Sequence, residues 1–391
     1  MKILYLTTEK EVHFRNFMEL AKKYDYEVHL MGGRNDYRND NNIYLHDINF
    51  VEKCYRKIMK AFFLWNEFYF QKKLLDLTIR KVKPDVIHAW GADFWGVLAT
   101  SIDHNIPTII TTLGSDIFRV PFQNKKNFEK VKHALEKADI VHTTPSKAAL
   151  DHLKEHFNIE EKKIVSLSLG IRYKEVKQIF DNTDKSQVRG KYSISEDELI
   201  IFAPRGMRPI FEPVFKLVPV ARKMKLAGIK FKIVVKLNGN KGMADRFASE
   251  VENNQLNDQF ILVRDYLSYE EVIRLFAISE ILVSMSETDQ IAAPVLEAMV
   301  TETVPILSNI EIYTSNFTEP GNVFFVDNDD EEQLFEKIMY VRNNYSKIKE
   351  SNLFDSNKII VSREYDSDKT VCEINDIYVT CSQCRVIRKS S

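Results

Sequence analysis

One run, Leu282–Leu307, LVSMSETDQIAAPVLEAMVTETVPIL, limits the fold more than any other. It reads as the end of a buried strand, a polar loop, a helix and a second strand. A strand, a helix and a further strand this close together call for parallel pairing, with the helix laid on a sheet face. The loop is crowded with Ser284, Ser286, Glu287, Thr288, Asp289 and Gln290. Helix signals begin near Ala292, with Pro294 in the first turn, where a missing N–H costs nothing. No Ser, Thr, Asp or Asn immediately precedes that turn. Its first amides therefore have no side-chain cap in prospect and can take an anionic ligand. Asp289 and Glu297 stand eight positions apart, one in the loop and one early in the helix. Both can face a ligand at the strand's carboxyl end, where open α/β sheets bind.

The same alternation runs through the chain. KILYLTT (2–8), a helical pattern at 13–24 and YEVHLMG (26–32) make a βαβ start. KPDVIHAWG (83–91), a helix at 93–104, IPTIITTLGSDI (106–117), the strand and helix of 138–157 and KKIVSLSLGIR (162–172) continue it. Residues 181–198 are polar and punctuated, as a surface segment crossing between domains would be. ELIIFAPRGMRPI (198–210) then opens a second alternation. It runs through a helix at 212–227, FKIVVKL (231–237), a capping box at Ser268–Glu271 and the opening run. A last helix is expected at 366–381, and the basic tail beyond it is expected to be disordered. At 391 residues the chain is too long for one core. The expected architecture is α/β, with Rossmann-like doubly wound domains at 1–171 and 172–362. A crossing helix and tail follow at 363–391.

Net charge is −1, so no bulk attraction to nucleic acid or to a membrane is expected. No apolar run approaches a membrane span. Met1 leads straight into a strand-like run, which predicts no signal peptide. Four cysteines are consistent with a reducing compartment. Cys381 and Cys384 form a lone C-x-x-C with no second pair to complete a zinc site, and read as inert. The segment 51–83 is helical in pattern and aromatic, with Phe62, Phe63, Trp65, Phe68, Tyr69 and Phe70. Lysines and Arg56 precede the aromatics, and Lys72 and Lys73 follow. It reads first as core against a sheet. The alternative is a membrane-facing or lipid-facing helix over 53–73, in which lysines meet anionic headgroups.

The opening run resembles the signature of glycosyltransferase family 4, the retaining, nucleotide-sugar-dependent enzymes of GT-B fold. Their Glu-x7-Glu pattern is matched by Asp289, Ala292 and L296-E-A-M299, with Asp for the first Glu and Ala for a Gly. Further upstream, PDVIHAW and IPTIITTLGSD are similar to the family's cleft-edge segments. Leu113 stands where a histidine is common. FAPRGMRPI resembles the family's F-x-G-R, with Pro204 for the glycine and Ile210 for a later lysine.

The resemblance implies two domains facing a central cleft, a C-terminal helix returning to the first domain, and a donor held by the second. It implies roles for Asp289 (donor sugar), Glu297 (ribose) and Arg205 (diphosphate). Arg208, Lys236 and the amides around Ala292, Ala293 and Val295 are the further donor-binding candidates. In the first domain Gly114, Asp116 and His88 are donor-side candidates, with a satisfied core imidazole as the equal alternative for His88. No metal or other cofactor is expected, since the family as a rule needs none and no Asp-x-Asp appears. The implied partners are a UDP- or GDP-linked sugar and a glycan or lipid-linked acceptor, with no nucleic acid. The implied setting is cytoplasmic, with the inner membrane face as a peripheral alternative, and the pathway is surface-glycan or glycolipid synthesis. Two other readings stay open: a silent GT-B subunit scaffolding a glycan-synthesis complex, and a nucleotide-sugar epimerase of the same fold.

Overall fold

The computed structural model describes residues 1–7, 21, 23–32, 43–46 and 67–390. His13, the loop at 8–12, most of the 13–24 helix and residues 53–66 of the aromatic segment lie outside the described residues. The chain divides into two compact units, Met1–Leu169 with Asp368–Ser391, and Gly170–Ser367.

The first unit carries a parallel sheet of seven strands in the order β3-β2-β1-β4-β5-β6-β7. They are β1 (Lys2–Leu6), β2 (Glu27–Met31), β3 (Ile43–His46), β4 (Val86–Trp90), β5 (Thr108–Thr111), β6 (Ile140–Thr143) and β7 (Ile164–Ser166). Side chains alternate across β1. Leu4 and Leu6 join a core with Ile87, Leu98 and Leu135 on one face, while Ile3 and Tyr5 join Val28, Ile374 and Tyr378 on the other. The second face is thus covered in part by the C-terminal helix Ser367–Ser390, which returns to this unit. That helix continues through the basic tail expected to be disordered. Cys381 is buried in the same core, so it packs as a small apolar residue.

Phe68 and Phe70, on the helix Glu67–Val82, pack against the first face, as the core reading expected. Tyr69 is 57% exposed, with the Lys73 ammonium over its ring at 5.8 Å. Among the described residues no helix is long and apolar enough to cross a membrane.

The second unit has six parallel strands in the order β10-β9-β8-β11-β12-β13. They are β8 (Leu199–Ala203), β9 (Phe231–Lys236), β10 (Phe260–Val263), β11 (Ile281–Ser284), β12 (Val304–Ser308) and β13 (Phe324–Val326). The chain winds from β8 toward one edge, then starts again at β11 and winds toward the other. The order therefore reverses between β8 and β11, and the carboxyl ends of strands at such a reversal are where open α/β sheets bind ligands. The helix Ala293–Val300 buries Val295, Leu296, Ala298, Met299 and Val300, so it is enclosed on every side. Each large apolar side chain buried this way contributes about 1.5–3 kcal/mol.

Two expectations are corrected. Residues 181–198 are not simply a surface crossing. The helix Lys185–Lys191 lies within them, capped by Asp184, and its Arg189 is buried against Glu280 at 3.2 Å. The helix expected at 212–227 begins as a 3-10 segment, Pro209–Lys216, because Pro213 cannot supply an α-helical N–H, and becomes α-helical at Leu217–Leu226.

Candidate functional site

The loops after β8 and β11 meet at the strand-order reversal of the second unit. Arg205 comes from the first and Asp289 from the second, and they pair at 3.0 Å. Their side chains are only 14% and 10% exposed. The β8 loop is fixed by backbone bonds to its neighbour: Met207 N–H donates to Asn238 O at 2.7 Å, and Asn240 N–H to Met207 O at 2.6 Å. Gly206 has φ +73, and a Cβ there would meet Asn238 O at 2.7 Å. A side chain there would be strained and would collide with the neighbouring loop, so this position needs glycine. The Arg205 guanidinium lies 4.3 Å from the Phe211 ring centre, which holds its plane.

The β11 loop is braced from below. Ser286 N–H donates to Ser308 Oγ at 2.7 Å, the Asn328 side-chain amide donates to Ser286 O at 2.9 Å, and Ser308 Oγ donates to Asn328 Oδ1 at 2.5 Å. Glu287 N–H donates to Ile210 O at 2.9 Å, tying the two loops together. The Asp289 carboxylate accepts from Arg205 Nη2, from Tyr313 Oη at 2.7 Å and from Gln290 N–H at 3.0 Å. It therefore holds the arginine, and does not stand as an uncommitted sugar ligand.

Glu297 is 3% exposed. Burial pushes its carboxyl up to about 7, against a hydrogen bond from Tyr269 and the pull of Lys236 and Arg205. Burial in turn lowers Lys236, with Glu297 opposing. The acid of the helix, the lysine ending β9 and the arginine after β8 are thus brought within electrostatic reach of one another. Ala292 caps the helix Ala293–Val300 without any side-chain bond, as the sequence implied. Val295 is a correction, because its N–H donates to Ala292 O at 3.0 Å and is spent inside the helix. Arg208 is exposed at the head of the 3-10 segment.

The first-unit candidates are corrected more strongly. His88 is buried in a chain of hydrogen bonds. His142 Nε2 faces Leu167 O at 2.9 Å, and a carbonyl only accepts, so that nitrogen carries the proton. Thr111 Oγ1 then donates to His142 Nδ1 at 2.9 Å, and His88 Nε2 donates to Thr111 Oγ1 at 2.6 Å. Tyr378 Oη donates to His88 Nδ1 at 2.6 Å and accepts from Tyr5 Oη at 3.1 Å. Both imidazoles are neutral, since burial lowers them, His142 to about 4. His88 is the satisfied core imidazole, not a donor ligand.

Asp116 is buried too. Its carboxylate accepts from Ala92 N–H at 2.6 Å and Leu113 N–H at 2.8 Å, suturing the loops after β4 and β5. Burial, then Asp93, raises it to about 7. Gly114 takes φ +103 to start the short helix Ser115–Phe118, a conformation a side chain would strain. Asp116→Ala leaves two amides unpaired. It is expected to lower unfolding free energy by about 2–4 kcal/mol in urea titration while leaving nucleotide affinity unchanged.

Tyr313, Tyr269 and Phe211 were not foreseen. Each lies just beyond a strand's carboxyl end, and that placement is the only sequence signal they carry.

Residues 2–145 match the family model described as glycosyl transferase 4-like, and residues 184–358 match the one described as glycosyl transferases group 1. Among solved structures the chain is similar to a glycosyltransferase from Rickettsia africae, at 20% identity over 97% of this chain and 98% of that one, with a TM-score of 0.73. Sucrose-phosphate synthase from Thermosynechococcus elongatus is similar at 13% identity over 100% of both chains, with a TM-score of 0.77. The Anabaena protein HepE, solved with UDP and glucose, is similar at 13% identity over 97% of this chain and 100% of that one, with a TM-score of 0.74. At these identities the likeness is one of fold. No curated protein matches the chain.

Proposed function

The chain belongs to the family-4-like glycosyltransferases of GT-B fold, and we propose that it moves a sugar from a UDP- or GDP-linked donor to an acceptor hydroxyl with retention at the anomeric carbon. In such a transfer the bond from the sugar to the diphosphate breaks, a bond to the acceptor oxygen forms, and the nucleoside diphosphate leaves with concentrated charge. The protein's work is to orient the donor and neutralise that charge. In this reading Arg205 meets the diphosphate, and Lys236 and the uncapped amides at Ala292 and Ala293 add positive potential. Glu297 accepts hydrogen bonds from the ribose hydroxyls. The acceptor is a glycan or lipid-linked glycan at the cytoplasmic side, in the synthesis of surface glycans or glycolipids.

One observation carries this reading. An arginine, a lysine, and a helix that carries both an uncapped start and a buried acid come from three separate stretches of chain to the strand-order reversal of one sheet. The fingerprint suits a phosphorylated nucleotide, with charge for the phosphates and an acceptor for the ribose.

The test is a thermal-shift screen with UDP, GDP and ADP and their sugar conjugates. A nucleotide present at 100 times its dissociation constant stabilises the native state by about 2.7 kcal/mol, several degrees of melting temperature. One base is expected to shift the melt, and its sugar conjugate to release nucleoside diphosphate once an acceptor is supplied. A flat response to all three bases overturns the donor site.

A further inference from the structure

The Asp289 carboxylate has three donors from the protein and little exposure, which is a poor state for a sugar ligand and a good one for an anchor. On the arginine's side only Nη2 is engaged by Asp289. Nε and Nη1 of Arg205 pair with no other carboxylate among the described residues. A guanidinium held by Asp289, bonded also to the Tyr313 hydroxyl and stacked on Phe211, has its remaining N–H groups fixed in direction.

The third member is Tyr313, fully buried on the short helix Glu311–Thr314 after β12. Its ring stacks on Phe317, with centroids 6.4 Å apart. Burial, then the neighbouring carboxylate, keeps the phenol far above its ordinary pKa, so it remains an O–H donor. A buried hydroxyl is costly unless bonded, and this one is bonded to Asp289 Oδ2.

We propose that Tyr313 and Asp289 form a positioning relay for Arg205, in which Tyr313 fixes the carboxylate, the carboxylate fixes Nη2, and the free edge of the guanidinium is presented to the diphosphate of the donor. The inference rests on the nucleotide-diphosphate reading above and changes one role within it. The first acid of the pair orients an arginine and does not itself touch the sugar. The aspartate's shorter reach and the tyrosine are then parts of one device.

The experiment measures dissociation constants of the whole chain for a nucleoside diphosphate and for the matching monophosphate, by calorimetry, in wild type, Tyr313→Phe and Asp289→Asn. In the proposal the guanidinium meets the phosphate that a diphosphate has and a monophosphate lacks. Tyr313→Phe is therefore expected to weaken diphosphate binding about tenfold, the worth of one hydrogen bond to a charged group, with monophosphate binding changed less than twofold. Asp289→Asn, which keeps the side chain's size, is expected to show the same selective loss and gives the answer should Tyr313→Phe fold poorly. A merely structural role would weaken both ligands alike or neither, and either result overturns the relay. Failure of wild type to bind any nucleoside diphosphate would instead sink the donor-site reading beneath it.

Discussion

Glu297→Ala abolishes sugar transfer, with turnover down at least 10²-fold, and leaves the melting temperature at or above that of wild type. The loss follows from the proposed role, since a ribose whose hydroxyls lose their acceptor no longer holds the donor in line. The unchanged or raised stability follows from the burial. An enclosed carboxyl held at about 7 is an ionisable group the fold carries at a cost. Its linkage has a definite sign. Between about 4.5, the ordinary value, and about 7, the native state binds more protons at this group than the unfolded chain does. Stability from this group is therefore full at the acid end and falls as pH rises through that window, by about 3 kcal/mol in all. Glu297→Gln removes that slope, which urea titrations at several pH values will show. Binding runs the other way, because ribose hydroxyls donate to the ionised form. Nucleotide affinity is expected to rise with pH through about 7 in wild type relative to Glu297→Gln, and binding at pH 6.5 to release a proton that calorimetry in buffers of different ionisation enthalpy detects. A Glu297→Ala enzyme with near-normal turnover would remove the acid from the donor site.

The parts of this protein that were legible in its sequence are those whose signals are local. Apolar runs bounded by Pro, Gly and polar clusters marked strands such as β4, β8 and β11, and their alternation with helical patterns gave two parallel sheets. The uncapped helix start at Ala292 was visible because a cap, or its lack, is read within four residues. What stayed hidden was long-range pairing. His88 was equally a ligand or a core residue until its partner Tyr378, 290 positions away, closed the hydrogen bond. Arg189 made 181–198 look like surface because its partner Glu280 is 91 positions on. Tyr313 belongs to no spacing pattern with Asp289, 24 positions earlier, and only the pairing of β11 with β12 brings their loops together. Asp116 was read as a ligand for a related reason: an acid at a strand's carboxyl edge has the same sequence signature whether it faces a substrate or sutures two loops.

Arg205→Ala is the substitution in which binding and folding are most easily confused, and the geometry says how to separate them. Removing the guanidinium strips the proposed diphosphate contact, and kcat/KM is expected to fall about 10³-fold, the scale of an electrostatic group lost from a leaving anion. It also leaves Asp289, 10% exposed, with Tyr313 and a backbone amide but no counter-charge. Breaking one side of a buried pair costs about 3 kcal/mol, so the single variant should melt several degrees lower. Removing both partners relieves the stranded charge. The double variant Arg205→Ala, Asp289→Ala is expected to recover most of the lost stability, as neighbouring sites that share one interaction do not add. Its activity is expected to remain at the level of the single variant, because the diphosphate still has no arginine. Recovery of transfer together with recovery of stability would mean that Arg205 serves the fold alone. The two measurements on the two variants, a urea midpoint and a kcat/KM, thus assign the arginine to ligand or to scaffold without any knowledge of which sugar is carried.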